Sequence, residues 1–229
     1  FAAEDRYNFS IAFIGPDDPL YSWWGHVALI VEDNNTGGSR YYDYGNFSFG
    51  QDSFVRNFVM GRLYFLKMAS RPDPQLRYAA GQNRDVTIYN LNIPAPVKRE
   101  LAGFLDTEVQ KENRIYLYDH FYDNCSTRIR DIINTASGGE LKKAATAEPG
   151  ATLRKQLRRF TYSSPLMDLL LNFAMNGSID REISAWEAMF LPMELERGVA
   201  GLMLPEFEGK AAVPFAELEP VYNRSTGRP

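Results

Sequence analysis

At 229 residues, with a net charge of −4 and a pI near 5.3, the chain can bury a substantial core and lacks the positive field that nucleic-acid binding requires. Its 45% hydrophobic and 24% charged residues are ordinary for a globular protein. One cysteine excludes an intrachain disulfide and any multi-cysteine metal site.

The opening FAAEDRYNF carries small residues that suit a signal-peptidase site, so a removed signal is the expectation there. YNFSIAFIG then alternates as a strand and ends at Gly-Pro-Asp-Asp-Pro, a loop signal. HVALIV is short and apolar on both faces, which predicts a central strand. DNNTGGS reads as a turn and RYYDYGNF as the returning strand of a hairpin. RLYFLKMAS and RDVTIYNLN are further strands, with a short helix in PDPQLRYAAGQN between them.

From Pro94 the period becomes helical, with Val97, Leu101, Phe104, Leu105 and Val109 on one stripe. Asn124 is placed to cap the helix CSTRIRDIINTAS, which Gly138 and Gly139 end. Ser164-Pro165 opens another helix that stops at Asn176-Gly177, and ISAWEAMF and PMELERGVAGLM read as helical. No stretch reaches the roughly 20 apolar residues of a membrane helix; Asp168 interrupts PLMDLLLNFAM. Strands followed by helices predict an α+β fold with antiparallel pairing. The division is a core over residues 1–160 and a helical extension over 161–229, packed as one domain.

The lone thiol, Cys125, sits in YDHFYDNCSTRIRD at the start of its helix. Ile129, Ile132, Ile133 and Ala136 fall within about 80° of it around the helix axis, so it points inward. The unpaired N–H groups and dipole of a helix start favour a thiolate, and a nearby imidazolium would favour it more. Two histidines are available. His26 opens the buried strand HVALIV and is the candidate base; His120, five residues before the thiol, is the poorer one.

Asp43, on the strand after His26, leads as the group that orients the imidazole, ahead of Glu32 and Asp123. The Cys125 backbone N–H with Tyr21, Tyr44 or Tyr118 would hold an oxyanion. A lone inward cysteine equally fits a small core residue, and a lone histidine a satisfied one. Trp23 and Trp24 fit either a substrate slot or a wedged loop. Arg128 suits phospholipid phosphate, with Arg130 or the run Arg154, Lys155, Arg158 and Arg159, or a pair with Asp123 or Asp131. The methionines Met167, Met175, Met189, Met193 and Met203 suit an acyl groove or, more simply, a core. Two histidines without a suitable cluster argue against a catalytic zinc.

WWGHVALIV, YYDYGNF, YDNCSTRIRD and WEAMFLP together resemble the periplasmic N-terminal domain of the lipoprotein N-acyltransferase Lnb family, within the circularly permuted papain-like (NlpC-type) group. The resemblance implies that the histidine strand precedes the cysteine helix, as His26 precedes Cys125. It also implies a thioester on Cys125, no cofactor, and a periplasmic location. The implied substrates are a phospholipid and a lipoprotein amine or a cell-wall peptide, with contact to a membrane surface. The relatives divide between peptide cleavage and acyl transfer, and a catalytically inert envelope module is a third possibility. The Lnb resemblance further implies a membrane-embedded portion that this sequence lacks.

Overall fold

The computed structural model describes residues 5–19, 22–47, 63–145, 147–161, 164–166, 168–169, 177–205 and 212–226. Elements follow in the order β1 (Tyr7–Ile14), β2 (His26–Asp33), β3 (Gly38–Asn46), β4 (Tyr64–Ser70), α1 (Pro72–Gly81), β5 (Val86–Leu91), α2 (Ala95–Glu108), β6 (Ile115–Leu117) and α3 (Cys125–Ala136). The later part holds α4 (Glu140–Ala144), β7 (Ala147–Thr152), α5 (Leu153–Thr161), β8 (Glu182–Ser184), α6 (Ala185–Ala188), α7 (Pro192–Ala200), β9 (Met203–Leu204), β10 (Val213–Pro214) and β11 (Ala216–Tyr222).

Seven strands form one sheet in the order β11-β5-β1-β2-β3-β4-β6, antiparallel throughout. Alternation assigns its faces. Phe9, Ile11 and Phe13 of β1, Val27, Leu29 and Val31 of β2, and Tyr42 and Tyr44 of β3 share a core with Leu101 and Leu105 of α2 and Ile129, Ile132 and Ile133 of α3. Burying each such side chain contributes roughly 1.5–3 kcal/mol. The other face offers the small Ala12 and Ala28 beside Tyr41, and α1 lies there with Leu76 and Ala79. The result is a mixed α/β architecture, a large antiparallel sheet with helices on both faces.

Two expectations are corrected. Phe104 does not join the buried stripe of α2: it is 47% exposed, and the buried residues are Lys98, Leu101, Ala102 and Leu105. These four keep the i, i+3, i+4, i+7 spacing of one face, which leaves Phe104 on the flank. The segment after residue 160 is also not only helical, because β11 returns to pair with β5 at the sheet edge. Its Glu217, Glu219 and Pro220 mask a strand pattern, yet charge and proline are what an edge strand tolerates. Most of the helix expected from Ser164 to Asn176, with Met167 and Met175, lies outside the described residues, as does Tyr21.

Candidate active site

The start of α3 is built by its cap. Asn124 accepts from the Thr127 N–H at 2.9 Å, and the Thr127 hydroxyl accepts from the Asn124 N–H at 2.8 Å, a reciprocal capping box. The Asn124 amide also donates to the carbonyls of His120 (2.7 Å) and Phe190 (3.0 Å), and Ser126 donates to Met189 O at 2.8 Å. Cys125 is therefore fixed at the first helical position from both sides. It is partly buried, packed against the main core, and a free thiol.

His26 is the first residue of β2, and Asp43 lies on β3 next to it in the sheet. The pairing Leu29↔Tyr42 and Ile30↔Tyr41, continued by alternation, sets Asp43 opposite Ala28 and diagonal to His26 on one face. Nε2 of His26 stands 2.9 Å from Asp43 Oδ1, a short but bent contact because the N–H does not aim along that line. Asp43 is held in turn by the Gly45 N–H (2.7 Å to Oδ1) and the Asn46 amide (2.8 Å to Oδ2). The His26 side chain keeps 22% of its surface, while its Nε2 is enclosed.

Charge follows from this geometry. Burial opposes the imidazolium of His26, but the Asp43 carboxylate and the neighbouring Cys125 outweigh it, and the pKa rises well above 6.5. Cys125 lies close enough to the ring to favour its charged form. Burial likewise opposes ionisation of Asp43, while His26, Gly45 and Asn46 favour it, and the net pKa falls below 3.8. The structure thus brings Cys125, His26 and Asp43 together, with the charges of His26 and Asp43 supporting one another.

Two glycines make room. Gly25 has φ +79°, and a Cβ there would lie 2.8 Å from the Ile14 carbonyl oxygen. A Cβ on Gly45 would come within 2.6 Å of His26 Cε1. Gly45→Ala is therefore expected to push the imidazole off Asp43 and Cys125 while the sheet stays folded. Iodoacetamide labelling of Cys125 at pH 6.5 should slow by about tenfold or more, with an unchanged far-UV circular dichroism spectrum.

The tyrosines separate. Tyr44 is buried, and its phenol feels the charges of Glu108 and Arg128. Tyr116 couples electrostatically to Cys125, but its hydroxyl is committed to the Tyr44 carbonyl. Tyr118 also couples to Cys125, and its ring is stacked on Phe65 at 4.1 Å. Burial first, then the thiol, pushes its pKa up, so it remains a neutral donor.

The profile of the Lnb N-terminal periplasmic domain matches residues 4–159. The chain belongs to that family. The match places this Lnb domain in the periplasm, and among the described residues no helix is long and apolar enough to cross a membrane. No curated protein matches the chain. Among solved structures it is similar to the Type VI secretion system effector TseH, with 17% identity, a TM-score of 0.38, and coverage of 63% of this chain and 81% of that one.

Elsewhere in the Lnb domain, several candidates are occupied. Arg128 pairs with Asp123 (Nε–Oδ1 2.6 Å, Nη2–Oδ2 2.8 Å), approaches Glu108 at 3.7 Å and lies over the Tyr116 ring at 4.1 Å. Arg130 pairs with Asp131 and covers Trp186. In the basic run, Arg154 meets Asp180, Arg158 meets Asp168 and Arg159 meets Glu194, so these arginines already have anions. Asp123 is taken by Arg128, and Glu32 is exposed on β2 opposite Asn8 and Ser39, six residues along the strand from His26.

Trp23 donates to the Asp18 carbonyl at 2.7 Å, and Trp24 packs edge-on to His120 at 4.7 Å, so both brace the loop before His26. Met189 is core, whereas Met193 and Met203 are exposed. Gly45 and Asn46, which hold Asp43, were missed in the sequence. The signal for them was the Asp-x-Gly-Asn spacing, where an Asp side chain turns back on the backbone two residues later.

Proposed function

We propose that this domain is a thiol-dependent acyltransferase of permuted papain-like design, moving a fatty acyl chain from a phospholipid to a lipoprotein N-terminal amine. The observation that carries the reading is a thiol at a helix N-terminus coupled to an imidazole that is itself 2.9 Å from a carboxylate. With Nε2 facing Asp43, the thiol contact falls to Nδ1. The Cys125 thiolate attacks the ester carbonyl, and the oxyanion rests on the Cys125 N–H and the Tyr118 hydroxyl. Collapse expels the lysophospholipid alkoxide, which takes the proton from His26. The acceptor amine then attacks the thioester, His26 removes its proton, and the thiolate leaves.

A strip of exposed apolar side chains supports the acyl donor. Met68 pairs with Asp43 across β3 and β4, and the exposed Tyr64, Ile115 and Leu117, with the half-buried Leu66 between them, continue the same sheet face. A groove of about 630 Å³ between α2 and α3 favours a second reading, an amidase or peptidase acting on a cell-wall peptide with water as acceptor. Of its carboxylates, Asp123 and Asp131 already hold Arg128 and Arg130, and Glu108 meets Lys67, which leaves Glu100 to meet the amine of such a peptide.

The test supplies phosphatidylethanolamine vesicles with a diacylated lipopeptide bearing a free amine, in one arm, and a cell-wall stem peptide in the other. N-acylated lipopeptide with stoichiometric lysophospholipid is the expected product. Cleaved stem peptide without acyl transfer would replace the reading by the second. Turnover in neither arm, together with an inert Cys125, would leave an envelope module.

A further inference from the structure

The loop between β6 and α3 holds the second histidine, which the chemistry above does not use. His120 is wedged among the rings of Trp24 (4.7 Å), Phe121 (5.1 Å) and Phe190 (5.7 Å), each roughly perpendicular to it. Its carbonyl accepts from Asn124, the cap of the cysteine helix, at 2.7 Å. Nδ1 lies 3.3 Å from the Tyr118 hydroxyl, and Nε2 is enclosed with no hydrogen-bond partner. The side chain is therefore oriented by packing on three sides and makes one polar contact, to Tyr118.

From this geometry we infer that His120 is a positioning residue: its Nδ1–H donates to the Tyr118 oxygen and leaves the phenol proton directed at the oxyanion site beside Cys125. Two arguments fix the direction of that hydrogen bond. A contact of 3.3 Å lies closer to the N–H···O range than to the shorter range of hydroxyl donors. A thiolate at Cys125, or the oxyanion that replaces it, attracts the phenol proton toward itself, which leaves the phenol oxygen to accept from the imidazole.

Burial supports the assignment by holding His120 neutral, its pKa lowered to about 4 against a small opposing pull from Asp119. A neutral ring has one proton to place, whereas an imidazolium would carry two and leave a buried charge on Nε2. The inference rests on the thioester reading of Cys125, and it explains why a histidine too close in sequence to act as the base is enclosed beside the site.

Two reactions of the same thiol separate positioning from mere packing. Acylation of Cys125 by p-nitrophenyl acetate passes through an oxyanion; alkylation by iodoacetamide does not. His120→Phe keeps an aromatic ring against Trp24, Phe121 and Phe190 but loses the donor. It should slow acylation by about tenfold or more, a part of the roughly 10²–10³ that losing an oxyanion donor costs, and leave the alkylation rate within about twofold.

His120→Asn places an amide N–H near the position of Nδ1 and should recover most of the acylation rate. Adding His120→Phe to Tyr118→Phe should cost nothing further, because both act through one hydroxyl. Equal acylation by parent and His120→Phe would overturn the inference. So would slowing of both reactions alike, with no rescue by asparagine. If the parent thiol reacts with neither reagent, the failure lies in the thioester reading itself.

Discussion

Replacing His26 with alanine should lower acyl transfer by roughly 10²–10⁴-fold, the usual worth of a positioned acid–base group. The same variant should slow iodoacetamide alkylation of Cys125 at pH 6.5 by about tenfold or more, because the cation beside the thiolate is gone. Both effects come from one ring, placed by Gly25 at the mouth of β2 and given room by Gly45. The fold should survive, since the site sits at a strand end and the main core does not include His26. The check is parallel kinetics of transfer and alkylation, with a denaturation midpoint to show that the protein is folded. Loss of transfer with unchanged alkylation would mean that His26 handles the substrate proton without activating the thiol.

Asp43→Asn tests the other half of the pair. The carboxylate raises the His26 pKa, so its removal lets that value fall and narrows the range in which imidazolium persists. The alkaline limb of the transfer–pH profile should move to lower pH, and the maximum rate should drop between about 10²- and 10⁴-fold. An amide retains an acceptor for the Gly45 N–H, so gross unfolding is not expected.

Stability should follow the same signs. Asp43, with its lowered pKa, contributes stability that is complete above the ordinary carboxylate range and is lost as pH falls through its folded value. His26, with its raised pKa, contributes stability that is complete below about 6.5 and is lost as pH rises through its folded value. Urea midpoints of parent and Asp43→Asn across the range from about pH 2 to 9 should differ most between the ordinary carboxylate value of 3.8 and about 6.5, where both contributions are complete, and should converge as pH falls well below 3.8. A profile whose alkaline limb does not move would show that Asp43 leaves the imidazole's charge unaffected.

What the sequence made legible was local. Asn124 before CSTRIRDII announced a capped helix, and the alternation in YNFSIAFIG and HVALIV announced paired strands, so Cys125, His26 and Asp43 could be set on the right elements. Their meeting follows from the β2–β3 register, which a tight turn over residues 34–37 fixes. The candidate tyrosines could not be ranked, because Tyr44 and Tyr118 differ in which way the phenol turns, and packing decides that. The ion pair of Arg128 with Asp123 had an equal rival in Asp131, which Arg130 takes instead. β11 was hidden because its partner β5 lies some 130 residues earlier, beyond the reach of any periodic pattern.

The most direct test of the account is the intact mass of the protein after brief exposure to phosphatidylethanolamine vesicles without an amine acceptor. The account predicts a single added acyl chain that is removed by hydroxylamine, maps to the peptide carrying Cys125 and is absent from Cys125→Ala. An adduct on another residue, or no adduct while added lipopeptide is still N-acylated, would contradict a thioester at Cys125.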